Sequence, residues 1–374
     1  MHIEEISDKI EICAYCPLMC QDICTVFSET KIQSRCPTMQ QYMLWLILNG
    51  KETYSKEIAE IIYECCCSCL LCQSWCATNQ DVPEKVRAAR RDVVELNYAP
   101  QSVVHLNEAT LKSHNPYGEP HDDRFGKIAA KAASKDSDAD LLYFVGCTTA
   151  YRRPEIANAV TEILQRANVS FDLMKGEEWC CGLPQWDLGL ETTTKTLAEH
   201  NSNYINKSNH KTVLTSCPEC YYMLKEVYPS LGFPIDPEIY HASEYLATLI
   251  GERKLSLKGF FDKKVTYHDP CYLGRYAKIF DAPRDVIKTL HGIDFVEMRW
   301  IKDKAYCCGG NEGFAMIHPE LSARISGKVV DEAQKIEVEG IITACPMCKE
   351  LLRAHATDKN IEIYDLTELV AKML

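Results

Sequence analysis

Leu141-Leu-Tyr-Phe-Val-Gly-Cys147 and Val265-Thr-Tyr-His-Asp-Pro-Cys271 are the stretches that decide the fold, because each is a β-branched or aromatic run that ends on a cysteine. Downstream of the first come Cys180-Cys181-Gly182 and Cys217-Pro-Glu-Cys220; downstream of the second come Cys307-Cys308-Gly309 and Cys345-Pro-Met-Cys348. The intervals match: 32 residues separate Cys147 from Cys180 and 35 separate Cys271 from Cys307, while 35 and 36 separate the adjacent pair from the last pair. Five thiols in one order, twice, mark a duplicated unit.

The repetition extends beyond the thiols. An apolar run precedes each final pair, Thr212-Val-Leu-Thr in one copy and Ile341-Ile-Thr-Ala in the other, and the copies end alike on Ile239-Tyr-His-Ala-Ser-Glu and Ile363-Tyr-Asp-Leu-Thr-Glu. Short apolar runs alternate with segments of helical period, such as Pro154 to Ala167 and Pro319 to Gln334, the pattern of parallel strands joined by crossover helices. Each unit is therefore expected to be a Rossmann-like α/β layer. Such sheets place ligands at the carboxyl ends of their strands, where Cys147, Cys217, Cys271 and Cys345 fall.

Upstream the cysteines have a different rhythm. Cys66-x2-Cys69-x2-Cys72-x3-Cys76 has the spacing that wraps a loop around a cubane 4Fe–4S cluster, and Cys13-x2-Cys16-x3-Cys20-x3-Cys24 is a looser version. In two-cluster ferredoxins the fourth cysteine of each run serves the other cluster. This pairs Cys13, Cys16 and Cys20 with Cys76, and Cys66, Cys69 and Cys72 with Cys24. Neither Cys24 nor Cys76 precedes a proline, whereas Cys36 does, so Cys36 is the alternative to Cys24. Cys65 and Cys67 are spare thiols, expected as small buried hydrophobes.

The expected division is a mainly helical two-cluster ferredoxin-like domain at 1–98, a linker at 99–140 rich in turn formers (His114-Asn-Pro-Tyr-Gly, Ser134-Lys-Asp-Ser-Asp), and the two α/β units at 141–256 and 257–374. The class is mixed, α+β with α/β.

Among 374 residues there are 21 cysteines, yet the apolar and charged fractions, 46% and 25%, are those of a soluble globular chain that needs no disulfide staples. Forty-one basic against 53 acidic residues argue against a nucleic-acid partner. The acidic start lacks a secretory pattern, and the longest apolar run, Met43 to Leu48, is far too short to span a bilayer. A cytoplasmic location is expected, with any membrane attachment through a partner. No GxGxxG or P-loop motif is present, so electrons must come from another subunit, a flavoprotein or a membrane b-type cytochrome.

Zinc is the alternative metal for paired CxxC motifs, but it closes at four ligands, and five thiols per unit suit a multinuclear iron–sulfur group better. Gly182 and Gly309-Gly310 are expected to let backbone approach that group. Pro218 and Pro346 suit a first helical turn, leaving Cys217 and Cys345 at a helix N-terminus that favours thiolate. Arg152, Arg153 and Arg275 follow the first cysteine of each copy and are candidate anchors for an anionic substrate. His241, His268 and His318 are read as structural rather than ligating. Trp179, Trp186, Tyr272 and Tyr306 are expected to pack around the metal groups.

The pattern Cys-xn-Cys-Cys-Gly-xn-Cys-x2-Cys, present twice, resembles the CCG domains of the B-type subunit of heterodisulfide reductase. With the ferredoxin segment fused ahead, the chain resembles the D-type subunit of that enzyme. The resemblance implies a noncubane 4Fe–4S cluster in each copy, held by five cysteines: Cys147, Cys180, Cys181, Cys217 and Cys220 in one, and Cys271, Cys307, Cys308, Cys345 and Cys348 in the other. It also implies a disulfide substrate between the two clusters, reduced with electrons from two cubanes. Both copies are complete, which favours a catalytic pair. The competing function is an electron conduit linking a flavin dehydrogenase, or an acyl-CoA or benzoyl-CoA type reductase complex, to a quinone or cytochrome.

Overall fold

The computed structural model describes residues 1–17, 19–128 and 139–374; Leu18 and the whole Ser134-Lys-Asp-Ser-Asp run lie outside them. Two four-stranded parallel sheets carry the carboxyl-terminal two-thirds. The first contains β1 (Leu141–Phe144), β2 (Phe171–Leu173), β3 (Thr212–Thr215) and β4 (Glu238–His241) in the order β2-β1-β3-β4. The second contains β5 (Lys263–Tyr267), β6 (Ile293–Phe295), β7 (Gly340–Thr343) and β8 (Glu362–Asp365) in the order β6-β5-β7-β8. The duplication in sequence is thus a duplication in topology.

Every ladder is parallel and the strand order reverses between β1 and β3, and again between β5 and β7. At such a switch point the connections leave in opposite directions and open a crevice past the strand ends. β1 and β7 are buried along their whole length, as expected of strands covered on both faces.

The N-terminal segment is helical, with Ser7–Ala14, Pro37–Leu48, Lys56–Glu64 and Val82–Glu95 its longer elements. Ile10, Leu44, Ile62, Val86 and Val93 form their common core, which continues into Leu188 and Leu190 of the first α/β unit. Gly189 makes that contact possible: a Cβ there would lie 2.6 Å from the carbonyl carbon of Arg90, and its φ of +81° is one that side-chain-bearing residues rarely adopt. The same segment also reaches the second unit, where Val26 and Cys67 pack with Cys307, Phe314 and Ile325.

The stretch expected as turns carries a helix at Gln101–Ser113. Its apolar stripe is short, with Val103, Leu106 and Thr110 buried, so tertiary packing rather than local pattern fixes it.

Candidate metal centres

Cys147 begins a short helix directly after β1, and Cys217 precedes Pro218 at a helix start directly after β3. Both therefore sit at the first switch point, and Cys271 and Cys345 sit likewise in the second unit. Cys345 accepts a hydrogen bond from the amide of Cys348, so the helix N-terminus does favour sulfur there, as its proline implied. All ten thiols are buried, at 0–7% exposure.

Within the first unit the thiols touch in the sequence Cys147, Cys180, Cys181, Cys220, Cys217. Within the second the sequence is Cys271, Cys307, Cys308, Cys348, Cys345, the Sγ atoms of Cys308 and Cys348 lying 3.1 Å apart. The order is the same. Burial pushes the Cys147 and Cys348 thiols well up, while hydrogen bonds from Cys271, Cys308, Cys67 and Cys69 pull Cys307 well down. Five converging thiols can all ionise only if cationic charge joins them, and one tetrahedral ion accepts four. The donor set therefore fits a multinuclear iron–sulfur group.

Buried ion pairs hold the turns that present these thiols. Glu178 accepts from the amides of Val145 and Gly146, both at 2.8 Å, and from Arg124 at 2.6 and 3.1 Å. Arg124 also reaches the Cys147 sulfur at 3.5 Å. In the second unit Asp269, two residues before Cys271, takes both arms of Arg284 at 2.7 and 2.8 Å and the Lys302 amide at 2.7 Å.

The two units meet at these edges. Asp187 of the first accepts from Tyr272 at 2.5 Å and from Asn311, both of the second, and from Arg87 of the N-terminal helices at 3.4 Å. Glu312 of the second accepts from Thr148 of the first at 2.8 Å. Glu219 lies within electrostatic reach of Cys217 and also of Cys345 across the junction, and burial holds its carboxyl well above the usual range.

In the helical segment a cavity of about 210 Å³ is lined by Cys13, Cys16, Cys20, Cys76 and Cys72, and a smaller one by Cys24, Cys65, Cys66, Cys67, Cys69 and Cys72. Cys36 lines neither; its sulfur accepts backbone hydrogen bonds from Thr38 and Met39 at the start of the Pro37–Leu48 helix. Lys85, fully buried, donates to Cys13 at 3.0 Å.

Cys65 is the buried core thiol expected, donating to the Ile62 carbonyl. Several other expectations change. Cys67 is not spare: its sulfur and those of Cys69 and Cys307 lie within 4.8 Å of one another. A Cβ on Gly182 or Gly309 would meet Leu197 or Ser322, so these glycines serve positive φ and helix packing; the glycine pressed against sulfur is Gly146, where a Cβ would lie 3.0 Å from the Cys220 sulfur. Arg152 and Arg153 are paired with Glu119 and Glu350, while Arg275 is buried and donates to the carbonyls of Cys69 and Ala305.

His241 caps a helix and His318 contacts the Tyr63 carbonyl. A ring nitrogen of His268, by contrast, lies within 4.8 Å of the Cys308 and Cys348 sulfurs. Trp179 stacks between His114 and His200, Trp186 lies beneath Arg87, Tyr272 stacks on Tyr276 and Tyr306 contacts Trp300. Cys67, His268, Arg124 and Glu178 are the residues that spacing alone missed.

Comparison with known proteins agrees with this arrangement. Residues 141–225 and 265–353 match the model of the CCG family, described as a cysteine-rich domain. The D-type subunit of the dihydromethanophenazine:CoB–CoM heterodisulfide reductase of Methanosarcina mazei is 31% identical over 83% of this chain and 77% of its own length. The EtfAB:quinone oxidoreductase of Syntrophomonas wolfei is 27% identical over 84% of this chain and 47% of its own. The B-type subunit of the fumarate reductase (CoM/CoB) of Methanothermobacter marburgensis is 27% identical over 91% and 67%.

Proposed function

The chain belongs to the family of heterodisulfide reductase D-type subunits, and from that premise we propose that it is the iron–sulfur subunit of a redox complex that reduces, or in reverse forms, a disulfide between its two CCG units. The balance is RSSR′ + 2 e⁻ + 2 H⁺ → RSH + R′SH. The observation that carries the reading is the identical order of thiol contacts in two complete five-cysteine sets, borne by units that meet across one junction.

In this assignment residues 141–256 and 257–374 each hold one noncubane 4Fe–4S cluster, and residues 1–98 hold two cubanes through the pairings given above. Bound there, the clusters supply single electrons and iron sites able to take up sulfur. The chain's own residues hold and orient. Glu178 and Asp269 fix the turns before the ligands. Burial pushes the Glu312 carboxyl up at the junction, where it accepts from Thr148. The Cys67, Cys69 and Cys307 cluster joins the helical segment to the second unit, which makes that unit the first to receive electrons.

No helix among the described residues is long and apolar enough to cross a membrane. In this reading electrons come from a partner subunit, a flavoprotein or a membrane b-type cytochrome. The name of the quinone oxidoreductase relative supports a second reading, a conduit without its own substrate.

Assay of disulfides with a reduced viologen dye separates the two. Cys180→Ala and Cys307→Ala abolish disulfide reduction and leave the ferredoxin-type EPR signals if the first reading holds. Full turnover by these variants with every active disulfide leaves only the conduit.

A further inference from the structure

The two CCG units are not chemical duplicates. Aligned on Cys147 and Cys271, position 144 of the first unit is phenylalanine and position 268 of the second is histidine. Phe144 is fully buried in the core beneath the first sheet. His268 is equally inaccessible, at 1% exposure, and its backbone is pinned: its amide donates to Ile342 at 2.9 Å, and its carbonyl accepts from Thr343 at 3.4 Å. The backbone that carries the ring is thus fixed just past the end of β5.

Among the described residues its Nε2 has no hydrogen-bond partner. Buried polar atoms are rarely left so, because an unmet donor forfeits its hydration without return. A ring nitrogen nevertheless lies within 4.8 Å of the sulfurs of both Cys308 and Cys348, two of the five thiols that converge in this unit. Of the other nearby cations, Arg284 is committed to Asp269 and Glu297, while Arg275 donates to the Cys69 and Ala305 carbonyls and faces Cys271 and Cys307 rather than Cys308 and Cys348. A neutral imidazole has one N–H to give, and sulfur is what stands in front of it.

We propose that His268 is a positioning residue of the second unit's centre, its Nε2–H donating to a sulfur of the iron–sulfur group held there and raising that group's reduction potential. The inference rests on reading both CCG units as iron–sulfur sites. Hydrogen bonds to cluster sulfur favour the reduced, more negative state, and Phe144 offers the first unit none. The centre so favoured is the one beside Cys67 and Cys69, where electrons from the helical segment arrive.

The test is an anaerobic redox titration of the full chain, followed by EPR, on wild type, His268→Phe and His268→Gln, with iron counted in each. Phenylalanine occupies this position in the first unit, and glutamine keeps an N–H in reach. In His268→Phe the midpoint of one centre moves negative, the others stay, and iron is retained; His268→Gln stays near wild type. An exchangeable proton coupled to that centre, seen by electron–nuclear double resonance in wild type and lost in deuterium oxide, is absent from His268→Phe. An unchanged midpoint in His268→Phe overturns the proposal, as does loss of one iron group from both variants. Absence of iron from the CCG units of wild type overturns the underlying reading as well, and that result is seen without either variant.

Discussion

Glu178→Ala is the substitution whose consequences the geometry fixes most tightly. The carboxylate takes four hydrogen bonds, two from Arg124 and one each from the Val145 and Gly146 amides, and both Glu178 and Arg124 are fully buried. Removing it strands a guanidinium in the interior, which typically costs about 3–5 kcal/mol. It also orphans two amides, worth about 1–3 kcal/mol each but not additive with the first term. We expect a local cost of about 4–5 kcal/mol, at the upper end of the range for breaking one buried pair. At about 1.4 kcal/mol per tenfold this is roughly 10³ in the opening equilibrium of the turn that presents Cys147. Hydrogen–deuterium exchange of a peptide spanning 141–147 reads that equilibrium directly. Iron at the first CCG unit falls with it, since Arg124 also contacts the Cys147 sulfur. The double variant Arg124→Met/Glu178→Met removes both charges and costs less than the two single substitutions summed, by about 2 kcal/mol or more. A rise in exchange below about tenfold for Glu178→Ala, or strict additivity in the cycle, refutes the claim that this pair holds the turn.

Lys85→Met removes a buried ammonium that donates to Cys13, so the midpoint of one ferredoxin-type centre moves negative in an EPR-monitored titration; an unmoved midpoint contradicts the contact. Gly189→Ala drives a Cβ into the Arg90 backbone at positive φ and costs roughly 2–4 kcal/mol in denaturant unfolding, against about 1 kcal/mol from the positive φ alone at exposed Gly50, whose surroundings are open. The helix caps His241 and Asp365 are equivalent positions with opposite pH responses. Burial pushes His241 down to about 3, so its contribution to stability is lost as pH falls from about 6.5 toward 3. Burial pushes Asp365 up to about 7, so its contribution is lost as pH rises from about 4 to 7, by roughly 4 kcal/mol in full. His241→Asn flattens the acid side of the stability profile and Asp365→Asn the neutral side; unfolding midpoints at about pH 4, 5.5 and 7 check both.

The sheets and their duplication were legible because parallel strands buried on both faces must read as short apolar runs, and in each unit the first such run ends on a cysteine. The helix at Gln101–Ser113 was not, because its stripe of Val103, Leu106 and Thr110 is short and its neighbours supply turn formers. Cys67 read as spare because spacing is local, whereas its partner Cys307 lies 240 residues away. The Arg124–Glu178 pair bridges 54 residues and leaves no pattern at all. His268 had a signal, its mismatch with Phe144 between copies, which gains meaning only once Cys308 and Cys348 are seen beside the ring.

The central claim is that two five-thiol sets each hold a multinuclear iron–sulfur group. Anomalous X-ray diffraction of anaerobically grown crystals at the iron and zinc edges tests it most directly. The account predicts iron clusters bounded by Cys147, Cys180, Cys181, Cys217 and Cys220, and by Cys271, Cys307, Cys308, Cys345 and Cys348, with two further clusters in the helical segment. A single zinc ion in either set, or cystines in place of metal, contradicts it.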